Sequence, residues 1–166
     1  MVKLVQRFAL RCFGALPRGV RRVIVRTISP TWTSGAMAII ERDDGRWLMV
    51  RAVYRKGWSF PGGLLDKGEN PERAIHRELR EELNIAVVLD PEPWVVFDTV
   101  LRRVDVVFRA ELAPGVDPDA VTVSSVELLD VGWFDPDHAP SLETETSDVL
   151  LLRRRVVEGG DAVLVV

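Results

Sequence analysis

The stretch from Asn70 to Asn84 constrains this chain more tightly than any other. Asn70 has the short polar side chain favoured at a helix N-cap, Pro71 suits the first helical position, and Glu72 places negative charge in the first turn. Asn84 suits the left-handed residue that ends a helix, where Asn is second only to Gly. Between these marks the spacing predicts a helix over 71–83. Ile75, Leu79 and Leu83 recur at i, i+4 and form an apolar stripe for a core. Glu78, Glu81 and Glu82 fall within roughly 100° of one another on the helix surface. Ala74, one turn before Glu78, is small and predicts room for a ligand beside the carboxylates. Like charges at this spacing destabilise a helix by a few tenths of a kcal/mol per pair. A divalent cation would turn that repulsion into attraction, and hard cations such as Mg²⁺ and Mn²⁺ prefer carboxylate oxygens. Taken alone, Glu81-Glu82 reads first as a solvated face, which is what acidic runs on helices usually are.

Strands flank this helix. Alternation and turn residues predict strands over 36–41 and 46–53, joined at Asp43-Asp44-Gly45 as a hairpin. A loop over 54–63 follows, with Trp58, Phe60 and a Pro61-Gly62-Gly63 bend. Further strands are predicted over 85–89, 94–101, 104–112 and 127–134, a helix over 142–158, and an edge strand in the apolar tail 162–166. This order predicts an α/β (α+β) fold with a mixed β-sheet packed between helices. The 166 residues, 47% of them apolar, suffice for one well-buried core and exclude a disordered or low-complexity chain. A single cysteine, Cys12, excludes an intrachain disulfide and a multi-cysteine zinc site. Neither His76 nor His138 stands at metal-ligand spacing. His76 reads as a surface residue, and His138 has no Ser or Cys nucleophile pattern beside it.

The formal net charge of −3 conceals a split. Residues 1–26 carry seven basic side chains (Lys3, Arg7, Arg11, Arg18, Arg21, Arg22 and Arg26) and no acidic one, so the remainder stands at −10. Lys3, Arg7 and Arg11 recur every four residues beside Leu4, Phe8 and Cys12, which predicts an amphipathic helix over 2–14. A second is predicted over 18–28, ended by Ser29-Pro30. The expected organisation is a basic amphipathic helical extension over 1–30 and a globular domain over 31–166. Three roles for the extension stay open: packing on the core or on a second subunit of a homodimer, peripheral membrane contact through residues 1–28, or nucleic-acid contact, for which no motif speaks. Arg7 and Arg11 interrupt the apolar run a secretory signal would need, and no run approaches the ~20 apolar residues of a spanning helix. The N-terminus shares the Arg-rich, acid-poor look of a transit peptide without its serines. The expected location is the cytoplasm, with a membrane-peripheral alternative.

The pattern over residues 63–85 is more specific than its parts. Gly63, Glu69, Arg77, Glu78, Leu79, Glu81, Glu82 and Ile85 stand at the spacing glycine, five residues, Glu, seven residues, Arg-Glu-aliphatic-x-Glu-Glu-x-Gly-aliphatic. This resembles the Nudix box. At average residue usage the matches arise by chance in roughly one chain in 10⁵ or fewer. Two positions depart from the pattern: Asn84 replaces the closing Gly, and Asp66 stands where many members carry Glu. The resemblance extends over residues 33–158 and leaves out the basic extension.

The resemblance implies a Nudix-type sheet sandwiched between helices and Mg²⁺- or Mn²⁺-dependent hydrolysis of a diphosphate linked to another group, usually a nucleoside derivative. It implies Glu81 and Glu82 as the main metal ligands. Glu78 would be a further ligand, or would orient or deprotonate the water, and the Gly63 carbonyl would supply one more oxygen. Arg77 and Glu69 would brace loop and helix through an ion pair. Glu127 stands before a late strand and turn where a Glu often completes the site or serves as base; an ordinary exposed strand Glu is the alternative. Asp105 and Glu111 are weaker candidates. Arg51, Arg55 and Lys56 flank the expected site and could bind phosphate oxygens. Trp58 or Phe60 could stack on a base, with packing as the alternative. A non-catalytic ligand sensor or interaction module is the competing function, and the intact acidic triplet favours the enzyme. The residues that mark the ADP-ribose, dinucleoside-polyphosphate and NADH pyrophosphatase subgroups are missing. A nucleoside triphosphate, a nucleotide sugar and a lipid diphosphate stay open as substrates.

Overall fold

Strand β1 (Thr33–Ile40) organises the fold because residues Ala36 to Ile40 are all buried. The computed structural model describes residues 2–138 and 141–166. Chain contacts divide it after Trp32. The first unit holds helices α1 (Val2–Ala15) and α2 (Arg18–Ile28), separated at Leu16-Pro17. The second holds β1, β2 (Trp47–Ala52), β3 (Gly62–Leu64), α3 (Pro71–Leu83), β4 (Val87–Leu89), β5 (Trp94–Asp98), β6 (Arg103–Leu112), β7 (Leu128–Phe134), α4 (Thr144–Val157) and β8 (Val163–Val165). Among the described residues no helix is long and apolar enough to cross a membrane.

A six-stranded mixed sheet runs β3-β1-β6-β5-β8, with β4 pairing the far half of β6. β1 lies parallel to β6, with Gly35 opposite Asp105, and antiparallel to β3, with Ala36 opposite Gly63. Alternate β1 residues feed two separate cores. Ala36, Ala38 and Ile40 meet Leu48 and Val50 of β2 and Ala74, Ile75, Leu79 and Leu83 of α3. Met37 and Ile39 meet Trp47, Met49, Phe60, Val107 and, from α4, Val149 and Leu152. The sheet is thus sandwiched between α3 and α4.

The expected hairpin between the first two strands forms only at its turn. One bridge joins Glu41 and Trp47, and a tight turn has Arg42 N–H donating to the Arg46 carbonyl. β2 then leaves the sheet and pairs antiparallel with β7. The physical reason is that both edges of β1 are taken, by β3 and β6. The loop expected over 54–63 ends in a true strand, β3, which three residues rich in glycine did not signal. The strand expected to reach residue 101 stops at Asp98, whose carboxylate accepts the N–H groups of Val100 and Leu101 and folds the chain into a turn. The tail strand β8 pairs with β5.

β3 needs glycine at its first position. Gly62 has φ +147°, and a Cβ there would lie inside contact distance of the Ala36 carbonyl in β1. Gly62→Ala is expected to lower stability by about 2 kcal/mol or more, read as a lower midpoint in urea unfolding.

Candidate active site

Helix α3 is set at both ends as its sequence requires. The Asn70 side chain accepts the Arg73 N–H at 2.8 Å, and Asn84 takes the left-handed conformation at φ 54°, ψ 37° while donating to the Arg80 carbonyl. Ile75, Leu79 and Leu83 are buried, and so is Ala74, packed in the core with Ala36 and Ala38. Ala74 therefore leaves no ligand space, contrary to the expectation from its size. With that face buried, Glu78 and Glu82 are half-buried beside Gly63 and Gly62 of β3, whereas Glu81 is exposed.

Arg77 ties this helix to the loop before it. Its Nη2 lies 3.0 Å from Glu69 Oε2 and 3.1 Å from the Leu64 carbonyl, and its Nη1 lies 2.8 Å from Glu78 Oε1 and 3.3 Å from Glu81 Oε2. Glu69 also accepts the Asp66 N–H at 3.0 Å. The Asp at position 66 thus keeps a place in the loop, 3.8 Å from Arg77 Nε.

Glu82 is the most unusual group of the site. One Glu82 oxygen, Oε2, is buried with no hydrogen-bond partner. The Gly62 N–H donates to the carboxylate, but burial and the nearby charges of Glu78, Glu127 and Glu81 push its pKa up to about 7. Glu78 is also raised, chiefly by burial, against the pull of Arg77. The Glu78 carboxylate fills the space where a Gly63 Cβ would stand. Glu127 lies in the turn just before β7 rather than in the strand; it is exposed, and its carbonyl accepts the Val53 N–H at 2.9 Å. The structure thus brings Glu78, Glu82, Glu127 and the Gly62-Gly63 strand together, and turns Glu81 outward to Arg77. Among the described residues no three His, Cys, Asp or Glu side chains are already closed around a metal position. The donor set nevertheless fits a hard cation: a buried carboxylate oxygen without a partner, crowded by like charge, beside a glycine backbone that leaves the space open.

The expected substrate residues divide. Arg55 lies 3.1 Å from Glu145 of α4, and Glu145 also pairs with Arg103 at 3.3 Å. Arg103 in turn donates to the buried Asp105 at 2.9 Å. A Cβ on Gly35 would run into the Asp105 carboxylate and stand 3.2 Å from Arg103 Nη2 and 3.3 Å from the Gly63 carbonyl, so this ion-pair cluster borders the Gly63 strand. Arg103 and Glu145 were not legible as site residues, because no motif links them and only the β1–β6 register brings them in. Arg51 pairs with Asp130 at 3.4 Å and covers the Trp58 ring. Lys56 is exposed. Trp58 stands edge-on to Phe134 at 4.6 Å and Phe60 is buried, so both aromatics belong to the second core rather than to an open cleft. Glu111 is excluded from the site by register. It lies six residues along β6 from Asp105, roughly 20 Å away, and lines a groove of about 550 Å³ with Arg42, Arg109 and Arg153. That groove is remote from the acidic cluster, and its Arg109 and Arg42 are paired with Asp90 and Asp119. His138 is exposed and faces Asp135.

Residues 31–156 match the family model described as NUDIX domain. A MutT-like protein of Streptomyces ambofaciens is 32% identical over 126 residues, 76% of this chain and 79% of that protein. An RNA pyrophosphohydrolase of Acinetobacter baylyi is 40% identical over 62 residues, which is 34% of this chain and only 37% of that protein. A crystal structure of a NUDIX hydrolase from Nitrosomonas europaea superposes with a TM-score of 0.68 at 22% identity, covering 83% of this chain and 80% of that one. The chain belongs to the Nudix hydrolase family.

The raised Glu82 pKa fixes a stability trend. Between the ordinary value of 4.5 and about 7, the unfolded chain releases this proton more readily than the folded one. Folded stability is therefore highest in acid and is lost, on this account, as the pH climbs through that window. Glu82→Gln removes the effect. In metal-free buffer at pH 8 the variant is expected to be more stable than wild type by on the order of 2–3 kcal/mol, with the gap narrowing towards pH 5; thermal melts across that range measure it.

Proposed function

We propose that this chain hydrolyses the diphosphate linkage of a nucleoside diphosphate derivative or a related organic pyrophosphate, with Mg²⁺ or Mn²⁺ as the activating ion. The observation that carries the reading is the buried, partnerless oxygen of Glu82 among three further carboxylates. Family membership and the MutT-like relative support the reaction class, as does the pyrophosphohydrolase matched over part of its length.

Glu82, Glu78 and the Gly63 carbonyl would hold the ion, with Glu81 joining after leaving Arg77. When bound, such an ion neutralises charge growing on the phosphate oxygens and makes a bound water more acidic. The chain supplies the rest. Arg77 and Glu69 hold the loop and helix in register, since donors misplaced by about an ångström lose much of their effect. Glu127, exposed beside the cluster, accepts the proton of the attacking water at a carboxylate oxygen and can return it to solvent. Arg55 and Arg103, aligned by Glu145, offer N–H groups to the phosphate oxygens.

Incubating the protein with a panel of diphosphate compounds and Mg²⁺, with products identified by mass, tests the reading. Cleavage between the two phosphorus atoms is expected, and chelation should abolish it reversibly. Glu82→Gln is expected to lower kcat about 100-fold or more, and equal rates in both proteins would end its assignment as a ligand. Glu127→Gln is expected to lower kcat about 100-fold in initial-rate measurements. Arg103→Ala is expected to act mainly on KM, by about tenfold.

A further inference from the structure

Helices α1 and α2 present two chemistries side by side, and neither is used by the Nudix site. At 100° per residue, Arg7 and Arg11 of α1 fall within roughly 40° of each other, and Arg18, Arg21, Arg22 and Arg26 of α2 in an arc of roughly 140°. The first acidic residue of the chain is Glu41. Apolar side chains lie away from these arcs: Val5, with Phe8 beside it, on α1, and Val20 and Val23 opposite the arginines on α2. These are exposed, Phe8 to 70% and Val23 to 64%, and α2 has no buried residue.

We propose that α1 and α2 lie flat on an anionic phospholipid surface and hold the enzyme there. The apolar arcs would enter the headgroup–acyl boundary while the arginines reach the phosphates beside it, as flexible cationic side chains do. An acidic protein face or a nucleic acid would answer the cations and leave the apolar arcs in water. An apolar groove would answer the arcs and leave the arginines unscreened. An anionic bilayer surface answers both, and the absence of acidic residues before Glu41 removes any local repulsion. The 14 residues of α1 span about 21 Å, short of the roughly 30 Å hydrocarbon core, so these helices lie on the membrane and do not cross it.

Flotation of the full chain with phosphatidylcholine vesicles, with and without phosphatidylglycerol, tests the proposal. Binding is expected to be at least about tenfold stronger to the anionic vesicles and to weaken with added salt. Charge reversal (Arg18→Glu, Arg21→Glu, Arg22→Glu and Arg26→Glu together) and polar replacement (Val20→Ser and Val23→Ser together) are each expected to lower it at least about tenfold. Thermal unfolding of both variants should match wild type, which shows that the Nudix domain is intact. Equal binding to neutral vesicles, or retention of binding by either variant, would overturn the proposal. Two other outcomes would do the same: RNA binding that strips the protein from vesicles and ignores the serine replacements, or a dimer in sedimentation velocity that the serine replacements dissolve while vesicles fail to bind.

Discussion

The close approach of β3 to α3 governs this site. Gly62 and Gly63 carry no side chains, so a strand can pass against β1 on one side and admit the carboxylates of Glu78 and Glu82 on the other. The Gly62 N–H that reaches Glu82 is a backbone donor fixed by the sheet. Everything else serves that geometry. Arg77 gathers Glu69, Leu64, Glu78 and Glu81 around one planar guanidinium, whose fork of donors can meet several oxygens at once. Burial of Ala74 sets the rotation of α3, and that rotation selects which glutamates face inward.

Electrostatics then explains why the site is costly without a cation. A carboxylate held from water, short of one hydrogen bond and surrounded by like charge, is poorly stabilised in its ionised form. The opposite wall shows the reverse arrangement. Arg55 and Arg103 share Glu145, and Asp105 is buried beside Arg103, so each charge there has a partner of opposite sign.

Much of this was legible in the chain itself. The caps of α3 at Asn70 and Asn84 act locally, so their residues announce them, and the motif over 63–85 named the glutamates that the fold gathers. What stayed hidden was non-local. Strand β3 has three residues with glycine at two of them, too short for a period, and its existence depends on the free edge of β1. The hairpin read between β1 and β2 stops at its turn because Asp43-Asp44-Gly45 specifies only that turn, while β2 finds its ladder partner in β7, some eighty residues on. Arg103 and Glu145 enter through the register of β1 with β6 and the start of α4, which no local pattern encodes. The three glutamates look equivalent in a helical projection, and only burial of the neighbouring alanine separates the inward pair from Glu81.

The register of β1 with β6 has a consequence for how this molecule is made. Each β1 residue faces a β6 residue 70 positions downstream. The central strand thus has no permanent parallel partner until β6 has left the ribosome, and such long-range pairing is slow to form. The two basic helices precede β1 in the chain, so they are made before this part of the sheet can close. Whatever meets them during synthesis meets them before the enzyme exists.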